Sequence, residues 1–357
     1  MQLSKPQPIL PLWLTYALSV AFIFAGMTVV VFAYLTFQIV RNRPLAPLEV
    51  AAIQAADVPL ELEQEGPPEI ALEVAGIPTP TLIPTTEAVA QTERINILLM
   101  GIDRRPGEPF ISRTDSMMII SVNPETESVS ILSIPRDLYV VIPGRGRDRI
   151  NTAFVYGASG NNPAGGAALS MQTVEYNLGV PIDHYVLVDF SAVTNGINQL
   201  GGIDVYVPFN INDPTFPDMD YGFDPLYIPA GLQHMDGALA LKYARTRHQD
   251  SDFGRAQRQQ QVVLAVRDKM LGMGIAQLVR QAPSFYQQVE QGIRTDMSLD
   301  ELVQLGLVAS EVPSENIHNA VIDGTFVTSH LTEAGAQVLV LINEKAAPLI
   351  EEMFYNN

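Results

Sequence analysis

Arginines gathered in one short stretch are the residues of this sequence best suited to chemistry. The 357-residue chain has a formal net charge of -18, but the stretch YARTRHQDSDFGRAQRQQQ (243–261) contains four arginines, two aspartates and neither lysine nor glutamate. A guanidinium group stays charged in any environment, and its rigid fork of donors fits a phosphate group. The cluster therefore predicts a local binding site for a polyanionic ligand.

The spacing of these residues predicts that the arginines converge. Arg245 and Arg247 are two residues apart and would point the same way in an extended segment. Ser251 or Asp252 can cap a helix that begins near Phe253. Three side chains on that helix would share one face: Arg255, Arg258 and Gln259. Such a helix start beside two further arginines favours a phosphate or diphosphate site, and the alternative is a solvated charged face.

Two aspartates form a second candidate group. In GIDRRPGEPFISRTDS (101–116), Asp103 lies just past the end of one expected strand, and Asp115 lies at the entry to the next. If the two strands are neighbours, both carboxylates meet at one edge of the sheet, where open α/β sheets often bind ligands. Carboxylates beside arginines suit a magnesium ion that is bound largely through substrate phosphates. Alternatively, both aspartates cap turns.

A charged pair, Arg136 and Asp137, separates two apolar segments in SIPRDLY (133–139). Charged residues are unexpected between two strands unless they lie at the end of a sheet, which makes the pair a further candidate for the site. A bulge or a surface ion pair is the alternative.

Several classes of function are excluded by absent motifs. The sequence has no G-x-x-x-x-G-K-[ST] loop, no H-E-x-x-H motif and no G-x-S-x-G nucleophile elbow. It contains no cysteine, and its five histidines show no metal-ligand spacing. A pI of about 4.6 argues against nucleic acid as a partner.

From residue 94 onward the sequence alternates between strand-like and helix-like segments. The expected strands cover residues 95–101, 116–123, 128–135, 138–143, 185–190, 203–208 and 319–322. The expected helices cover residues 164–178, 191–200, 236–245, 252–272, 275–291, 299–310 and 332–353. This pattern predicts an α/β fold with a layered sheet, and the short connections between the early strands predict that the sheet is mixed.

The N-terminal segments differ from the rest of the chain. No charged residue lies between Lys5 and Arg41, and this run is long enough to span a hydrocarbon core of roughly 30 Å. We therefore expect a short terminus over residues 1–11 and a transmembrane helix over residues 12–40, with a cleaved signal peptide as the alternative. Residues 41–93 are acidic and rich in proline, which is typical of an extended stalk. The flanking charges leave the orientation of the helix open.

Eight blocks that keep their order over residues 94–275 resemble the LytR-CpsA-Psr family of bacterial cell-envelope proteins. The blocks are NILLMGIDRR, SRTDSMMIISVNP, VSILSIPRDLYVVIPG, RINTAFVYG, DHYVLVDF, LGGIDVYVP, MDGALALKYARTRH and DFGRAQRQQ. The resemblance implies a three-layer α/β/α catalytic domain over residues 94–357, with a central mixed sheet and an apolar pocket for a polyprenyl chain. It also implies a single-pass protein of the cell membrane with a cytoplasmic N-terminus and an extracytoplasmic stalk and domain.

The resemblance further implies an activity and a set of site residues. The activity is transfer of a glycopolymer, with one phosphate, from a polyprenyl diphosphate carrier to a hydroxyl group of peptidoglycan in the cell wall. The implied cofactor is Mg²⁺, held by Asp103 and Asp115. The implied catalytic residues are Arg245, Arg247, Asp252 and Arg255, with Asp252 as a candidate base. The implied substrate-binding residues are Arg113, Arg136, Arg258 and Gln259.

Two other functions are compatible with parts of the sequence. A non-catalytic protein that binds polyprenyl phosphates and regulates envelope assembly would use the same arginines, but it would not need both Asp103 and Asp115. A transcription attenuator is opposed by the acidic pI, by the expected membrane anchor and by the lack of a recognition helix. The sequence therefore favours the transferase.

Overall fold

The structure is a computed structural model that describes residues 94–356, with gaps at residues 105–107, 219–221 and 248–250. Three predicted segments lie outside these residues: the terminus over 1–11, the transmembrane helix over 12–40 and the stalk over 41–93. In the part of the chain that the structure describes, no helix combines the length and the apolar character needed to cross a membrane.

The strands of the described residues are short, and most of them lie in the first half of the domain. They are β1 (Ile95–Ile102), β2 (Thr114–Asn123), β3 (Ser128–Ile134), β4 (Tyr139–Ile142), β5 (Gly146–Arg149), β6 (His184–Asp189), β7 (Ile203–Val207), β8 (Ile211–Asp213), β9 (Leu226–Ile228), β10 (Gly231–Met235), β11 (Ile293–Thr295), β12 (Ile317–Val321), β13 (Val327–Leu331) and β14 (Gln337–Leu341).

Six of these strands form a central sheet in the order β11-β6-β1-β2-β3-β12. β2 is antiparallel to both β1 and β3, whereas β6 is parallel to β1 and β12 is parallel to β3. Only a short turn joins β2 to β3, and a turn of that length can connect antiparallel strands but cannot form a crossover. The predicted mixed sheet is confirmed. The other strands pair as β4–β5, β7–β10, β8–β9 and β13–β14.

The helices alternate with the strands through most of the domain. They are α1 (Ala153–Gly157), α2 (Pro163–Leu178), α3 (Phe190–Gln199), α4 (Gly237–Arg245), α5 (Asp252–Met273), α6 (Ile275–Val289), α7 (Leu299–Glu311) and α8 (Asn343–Phe354). Four of them begin after a residue whose side chain accepts a hydrogen bond from the backbone three residues further on: Asn162, Asp189, Asp236 and Ser298. These side chains satisfy donors that the first turn of a helix leaves unpaired.

Helices cover both faces of the central sheet. Along β2, Met117 and Ile119 pack into one hydrophobic cluster with residues of α1, α2 and α8. Met118 and Val122 pack into a second cluster with residues of α5 and α7. Because successive side chains of a strand point to opposite faces, this alternation places the sheet between two layers of helices.

The C-terminal tail differs from its predicted structure. The expected helix over residues 332–353 is wrong in its first part, because Gln337–Leu341 form β14, which pairs with β13. The helix begins only at Asn343. Gly335 adopts a φ of 77° in the turn between the two strands, a conformation that glycine reaches without steric strain. The alternating, β-branched sequence QVLVL then suits a strand once a partner strand lies beside it.

Candidate functional site

The predicted aspartates and Arg136 lie at one edge of the central sheet, where several strands end. β1 and β6 are parallel and end together, with Ile102 beside Asp189. β2 begins at the same edge because it is antiparallel to β1. β3 runs parallel to β1, so its carboxyl end and Arg136 reach this edge as well. The pairing of the strands therefore brings Asp103, Asp115 and Arg136 together.

Asp115 lies in a β-bulge. The register of β1 and β2 places Gly101 opposite Ser116 but Ile102 opposite Thr114, so Asp115 has no cross-strand partner. A bulge of this kind re-aims a side chain out of the regular alternation. The Ser116 side chain occupies the space beside Gly101, since a Cβ atom on Gly101 would lie 2.3 Å from the Ser116 hydroxyl oxygen. The result is that the carboxylate of Asp115 faces a cleft at the sheet edge.

The cleft has a volume of about 450 Å³. Six of the predicted site residues line it: Asp103, Asp115, Arg245, Arg247, Arg255 and Gln259. Further lining residues were not predicted, and among them are Phe190, Asp213, Phe216 and Thr246. Three of the four arginines between residues 243 and 261 thus line the same cleft as the two aspartates.

Arg245 is the last residue of α4 and reaches toward the sheet edge. Its Nη2 lies 3.7 Å from Oδ2 of Asp103. Its guanidinium carbon lies 4.5 Å from the ring centroid of Phe190 and 5.6 Å from that of Phe216. Cation–π contacts of this kind contribute about 0.5–2 kcal/mol and restrict the plane of the guanidinium group. Arg245 is therefore held at the cleft before any ligand is bound.

The carboxylate of Asp252 lies among three arginines. Asp252 is the first residue of α5, where a negative charge is favoured by the helix dipole. Its oxygens lie 3.4 Å from Nε of Arg247, 3.6 Å from Nε of Arg136 and 3.8 Å from Nη2 of Arg255. These pairs join the end of β3, the segment after α4 and the start of α5 into one charged cluster.

Two buried arginines, one turn apart on α5, have different environments. Arg255 is 5% exposed, and its Nε has no hydrogen-bond partner among the described residues. Arg258 is 6% exposed, and it donates through Nε to the carbonyl of Tyr243 at 2.9 Å and through Nη2 to the carbonyl of Thr246. Arg255 therefore offers donors to the cleft, whereas Arg258 fixes the end of α4.

The two glutamines that follow also differ in their contacts. Gln259 lines the cleft, and its side-chain amide lies 3.4 Å from the carbonyl of Ala244. Gln260 is buried and was not predicted to matter. Its amide donates to the Ser133 hydroxyl at 2.9 Å and to the Ala320 carbonyl at 2.7 Å. Gln260 thereby attaches α5 to β3 and to the end of β12.

Electrostatic interactions shift the pKa values of two arginines in opposite directions. Burial alone would lower the pKa of Arg136, but a 2.6 Å hydrogen bond to Asp115 and the charges of Asp252, Asp115 and Asp137 outweigh it, and the pKa is raised. The pKa of Arg247 is lowered by burial and then by the positive charge of Arg136, although nearby carboxylates oppose this shift. An anion beside Arg247 would stabilise its charged form.

The structure places Arg113, another predicted site residue, outside the lining of the cleft. It is exposed and is not among the residues that line the cleft. Its charge acts instead on Asp148 of β5 and on Tyr156 of α1. The structure therefore separates Arg113 from the predicted residues around Asp252.

The predicted metal ligands provide two carboxylates on one wall of the cleft. Within the described ranges, no group of three or more His, Cys, Asp or Glu side chains could hold a metal ion. One oxygen of Asp115 is already bonded to Arg136. A cation held by Asp103 and Asp115 would therefore take most of its ligands from water or substrate, and Mg²⁺ commonly binds in this way. The donor set fits Mg²⁺ bound together with phosphates.

Some of the cleft residues that sequence analysis missed could have been identified from the sequence, and others could not. Phe190 directly follows β6, so the rule that ligands bind beyond the carboxyl ends of strands could have identified it. Asp213 and Phe216 come from β8 and the loop after it, where the sequence shows no periodicity. Asp213 accepts a 2.7 Å hydrogen bond from the Thr246 hydroxyl, a contact that depends on tertiary structure alone.

A family model and two sequence relatives all relate this chain to the same protein family. The chain matches the LytR_cpsA_psr family over residues 73–354. It is 36% identical over 217 residues to the polyisoprenyl-teichoic acid–peptidoglycan teichoic acid transferase TagU of Oceanobacillus iheyensis, a match that covers 60% of this chain and 62% of TagU. It is 33% identical over 235 residues to TagV of Bacillus subtilis, which bears the same transferase name, and this match covers 64% of this chain and 56% of TagV. The chain thus spans less than two thirds of the length of these relatives.

Solved structures resemble the described domain. The crystal structure of B. subtilis TagV has a TM-score of 0.58 and 29% sequence identity, and the match covers 74% of this chain and 98% of that chain. A structure of TagT bound to LI-WTA has a TM-score of 0.57 and 27% identity, and the match covers 73% of this chain and 89% of TagT. The domain therefore shares its fold with these proteins.

Proposed function

The chain belongs to the LytR-CpsA-Psr family, and from this premise we propose that it is a membrane-anchored phosphotransferase. In this proposal it moves a glycopolymer, with one phosphate, from a polyprenyl diphosphate carrier to a hydroxyl group of peptidoglycan. The transferase names of TagU and TagV support this class of reaction. The anchor is the apolar segment over residues 12–40, and the domain lies on the extracytoplasmic side of the cell membrane.

The buried guanidinium group of Arg255 is the observation that carries the proposal. Its Nε has no hydrogen-bond partner among the described residues, although a buried polar group without a partner costs about 1–3 kcal/mol. A diphosphate in the cleft would supply the missing acceptor. Arg245 and Arg247 line the same cleft, so three guanidinium groups are available to a ligand with several phosphate oxygens.

Asp103 and Asp115 are the residues that would hold Mg²⁺. The ion, when bound, would neutralise charge on the phosphate oxygens beside it. The hydrogen bond from Arg136 to one oxygen of Asp115 orients this carboxylate, and the ion pair between Arg245 and Asp103 orients the other. Both aspartates are thus positioned by arginines.

The side chains of the cleft can be assigned roles in the transfer. Arg245, Arg247 and Arg255 neutralise the diphosphate, so that an acceptor hydroxyl can attack the polymer-side phosphorus. The bond between that phosphorus and the bridging oxygen breaks, and the lipid leaves as a monophosphate whose new negative charge the same arginines stabilise. The hydroxyl proton passes to a carboxylate, for which Asp252 is the candidate, and Gln259 contacts the phosphate oxygens.

Two remaining residues of the proposed site act from outside the cleft lining. Arg136 orients Asp115 and contributes positive charge, and Arg258 holds the end of α4, from which Arg245 projects. The polyprenyl chain is the part of the substrate that needs apolar surroundings. Phe190 and Phe216 supply apolar surface at the cleft, where the first isoprene units would lie.

Transfer can be tested with the full-length protein in a neutral detergent, Mg²⁺, a polyprenyl diphosphate-linked glycan and peptidoglycan fragments. Mass spectrometry should detect a glycan joined to the fragment through one phosphate. We expect the product to disappear in Arg255→Ala and Asp115→Ala and to persist in Arg280→Ala, which alters an exposed residue of α6. Tight binding of the lipid-linked glycan without transfer to any acceptor would instead identify a non-catalytic polyprenyl-phosphate-binding protein.

A further inference from the structure

A second group of arginines lies on the hairpin formed by β4 and β5, outside the cleft. The sequence GRGRDR (144–149) places Arg145, Arg147 and Arg149 at alternate positions. Arg145 is exposed, and Arg147 and Arg149 are half-buried. Residues two apart on a strand are separated by about 6.6 Å and point to the same face. Arg147 and Arg149 therefore share one face of β5, whereas Arg145 lies in the turn just before it. The hairpin presents a local group of positive charges in a protein of strongly negative net charge.

Tyr156 of α1 lies beside this hairpin and fixes its one acidic residue. Its hydroxyl donates a 2.6 Å hydrogen bond to Oδ2 of Asp148, and the guanidinium carbon of Arg145 lies 5.7 Å from the centroid of its ring. Oδ1 of Asp148 accepts a 2.7 Å hydrogen bond from the backbone N–H of Arg149. Both oxygens of Asp148 are thus used locally.

Three arginines in this region form no ion pair with any carboxylate of the described residues. They are Arg113, Arg145 and Arg147. Arg113 belongs with the hairpin because β2, which follows it, packs against the turn at Ile150–Thr152 between β5 and α1. The charge of Arg113 also acts on both Asp148 and Tyr156. The positive charge of this region is therefore not balanced within the described part of the chain.

The hairpin adjoins the cleft through Asp137. Nε of Arg149 lies 3.2 Å from one oxygen of Asp137, and Nε of Arg136 lies 3.5 Å from the other. Arg136 in turn pairs with Asp115 and Asp252 at the cleft. A ligand held in the cleft could therefore continue onto the hairpin past one carboxylate, that of Asp137, which is already paired with two arginines.

We propose that Arg145 and Arg147, with Arg113 beside them, bind successive phosphodiester groups of a polyanionic glycopolymer whose diphosphate end lies in the cleft. This inference rests on the proposed function, which requires a donor with a polymer attached to the diphosphate. A local group of positive charges suits a linear polymer that carries several phosphates. The described exposed large apolar side chains include none in Tyr139–Arg149, so the hairpin lacks the groups that would insert into a bilayer.

The test uses the full-length protein in a neutral detergent and a fluorescent poly(glycerol phosphate) oligomer that carries neither lipid nor diphosphate. We expect the variant R145E/R147E to bind this oligomer about tenfold more weakly than the wild type, since two charge contacts are removed and the two charges are reversed. Its affinity for inorganic diphosphate should stay unchanged. The matched control K269E/R280E makes the same change of net charge on α5 and α6 and should bind the oligomer like the wild type.

Several outcomes would overturn the inference. One is an equal loss in K269E/R280E, which would show that net charge alone governs binding. Another is unchanged oligomer binding in R145E/R147E combined with weaker sedimentation on phosphatidylglycerol vesicles, which would assign the hairpin to anionic lipid headgroups. If the wild type transfers glycan while R145E/R147E binds the oligomer normally, this inference fails and the proposed function stands. If the oligomer binds through the hairpin but no transfer occurs, the proposed function fails and the hairpin site stands.

Discussion

Replacing Arg255 with alanine should weaken ligand binding strongly and leave the stability of the fold almost unchanged. Nε of Arg255 has no hydrogen-bond partner among the described residues, and its ion pair with Asp252 is long, at 3.8 Å. Asp252 keeps Arg136 and Arg247 at 3.6 Å and 3.4 Å in the variant, so no carboxylate is left unpaired. We therefore expect the free energy of unfolding to change by less than about 1 kcal/mol.

The same substitution should weaken diphosphate binding strongly. A hydrogen bond to a charged group contributes about 1.5–3 kcal/mol, which corresponds to roughly 10–150-fold in affinity. The loss in transfer should be at least as large, because the charge on the leaving phosphate grows in the transition state.

Arg258→Ala provides the contrasting variant on the same helix. It leaves the carbonyls of Tyr243 and Thr246 without the donors they have in the wild type, and each unpaired buried acceptor costs about 1–3 kcal/mol. The melting temperature should fall by about 5–10 °C. Thermal unfolding and calorimetric titration with inorganic diphosphate and Mg²⁺ measure both effects. The reasoning is refuted if Arg255→Ala melts as low as Arg258→Ala while it binds diphosphate like the wild type.

Two further predictions concern the scaffold. The hydrogen bond to Asp296 raises the pKa of His184, so this residue stabilises the fold below its unfolded pKa of about 6.5, and the contribution is lost as pH rises through the folded pKa. His184→Gln should therefore lower the melting temperature more at about pH 5.5 than at about pH 8.5, and an equal effect at both would contradict the assignment. Gln260→Leu leaves the partly buried carbonyl of Ala320 without this donor and should lower the free energy of unfolding by about 1 kcal/mol in a denaturant titration. Gln257→Leu on the exposed face of α5 is the control, and an equal loss there would refute the role of Gln260.

The parts of the fold with strong local signals could be predicted from the sequence. β1 and β2 each contain a run of four apolar residues, and the short turn between β2 and β3 permits only antiparallel pairing. The tail was mispredicted because QVLVL pairs with β13, a partner that periodicity within one segment does not reveal. The order of the strands was enough to predict that Asp103 and Asp115 lie at one edge of the sheet. It was not enough to predict the β-bulge that turns the Asp115 side chain into the cleft.

The arginines show the limit of spacing arguments most clearly. Arg255 and Arg258 share one face of α5 by their spacing, but only the first lines the cleft. The end of α4 covers that face at the position of Arg258, whose donors reach backbone carbonyls there. Helix packing decides which residue of a shared face meets the ligand, and packing depends on contacts remote in sequence.

The position of Asp252 among three guanidinium groups has a consequence for the speed of turnover. The carboxylate acts as a resident counter-ion, so the arginines are held in place before a ligand arrives and little ordering is needed during association. An incoming phosphate then meets a cluster whose positive charge is partly neutralised by Asp252. The phosphate therefore stays bound for a shorter time than it would beside three arginines with no carboxylate among them. In the proposed reaction a lipid monophosphate must be released after each cycle, and this arrangement favours its release, because a product held too tightly would limit the rate.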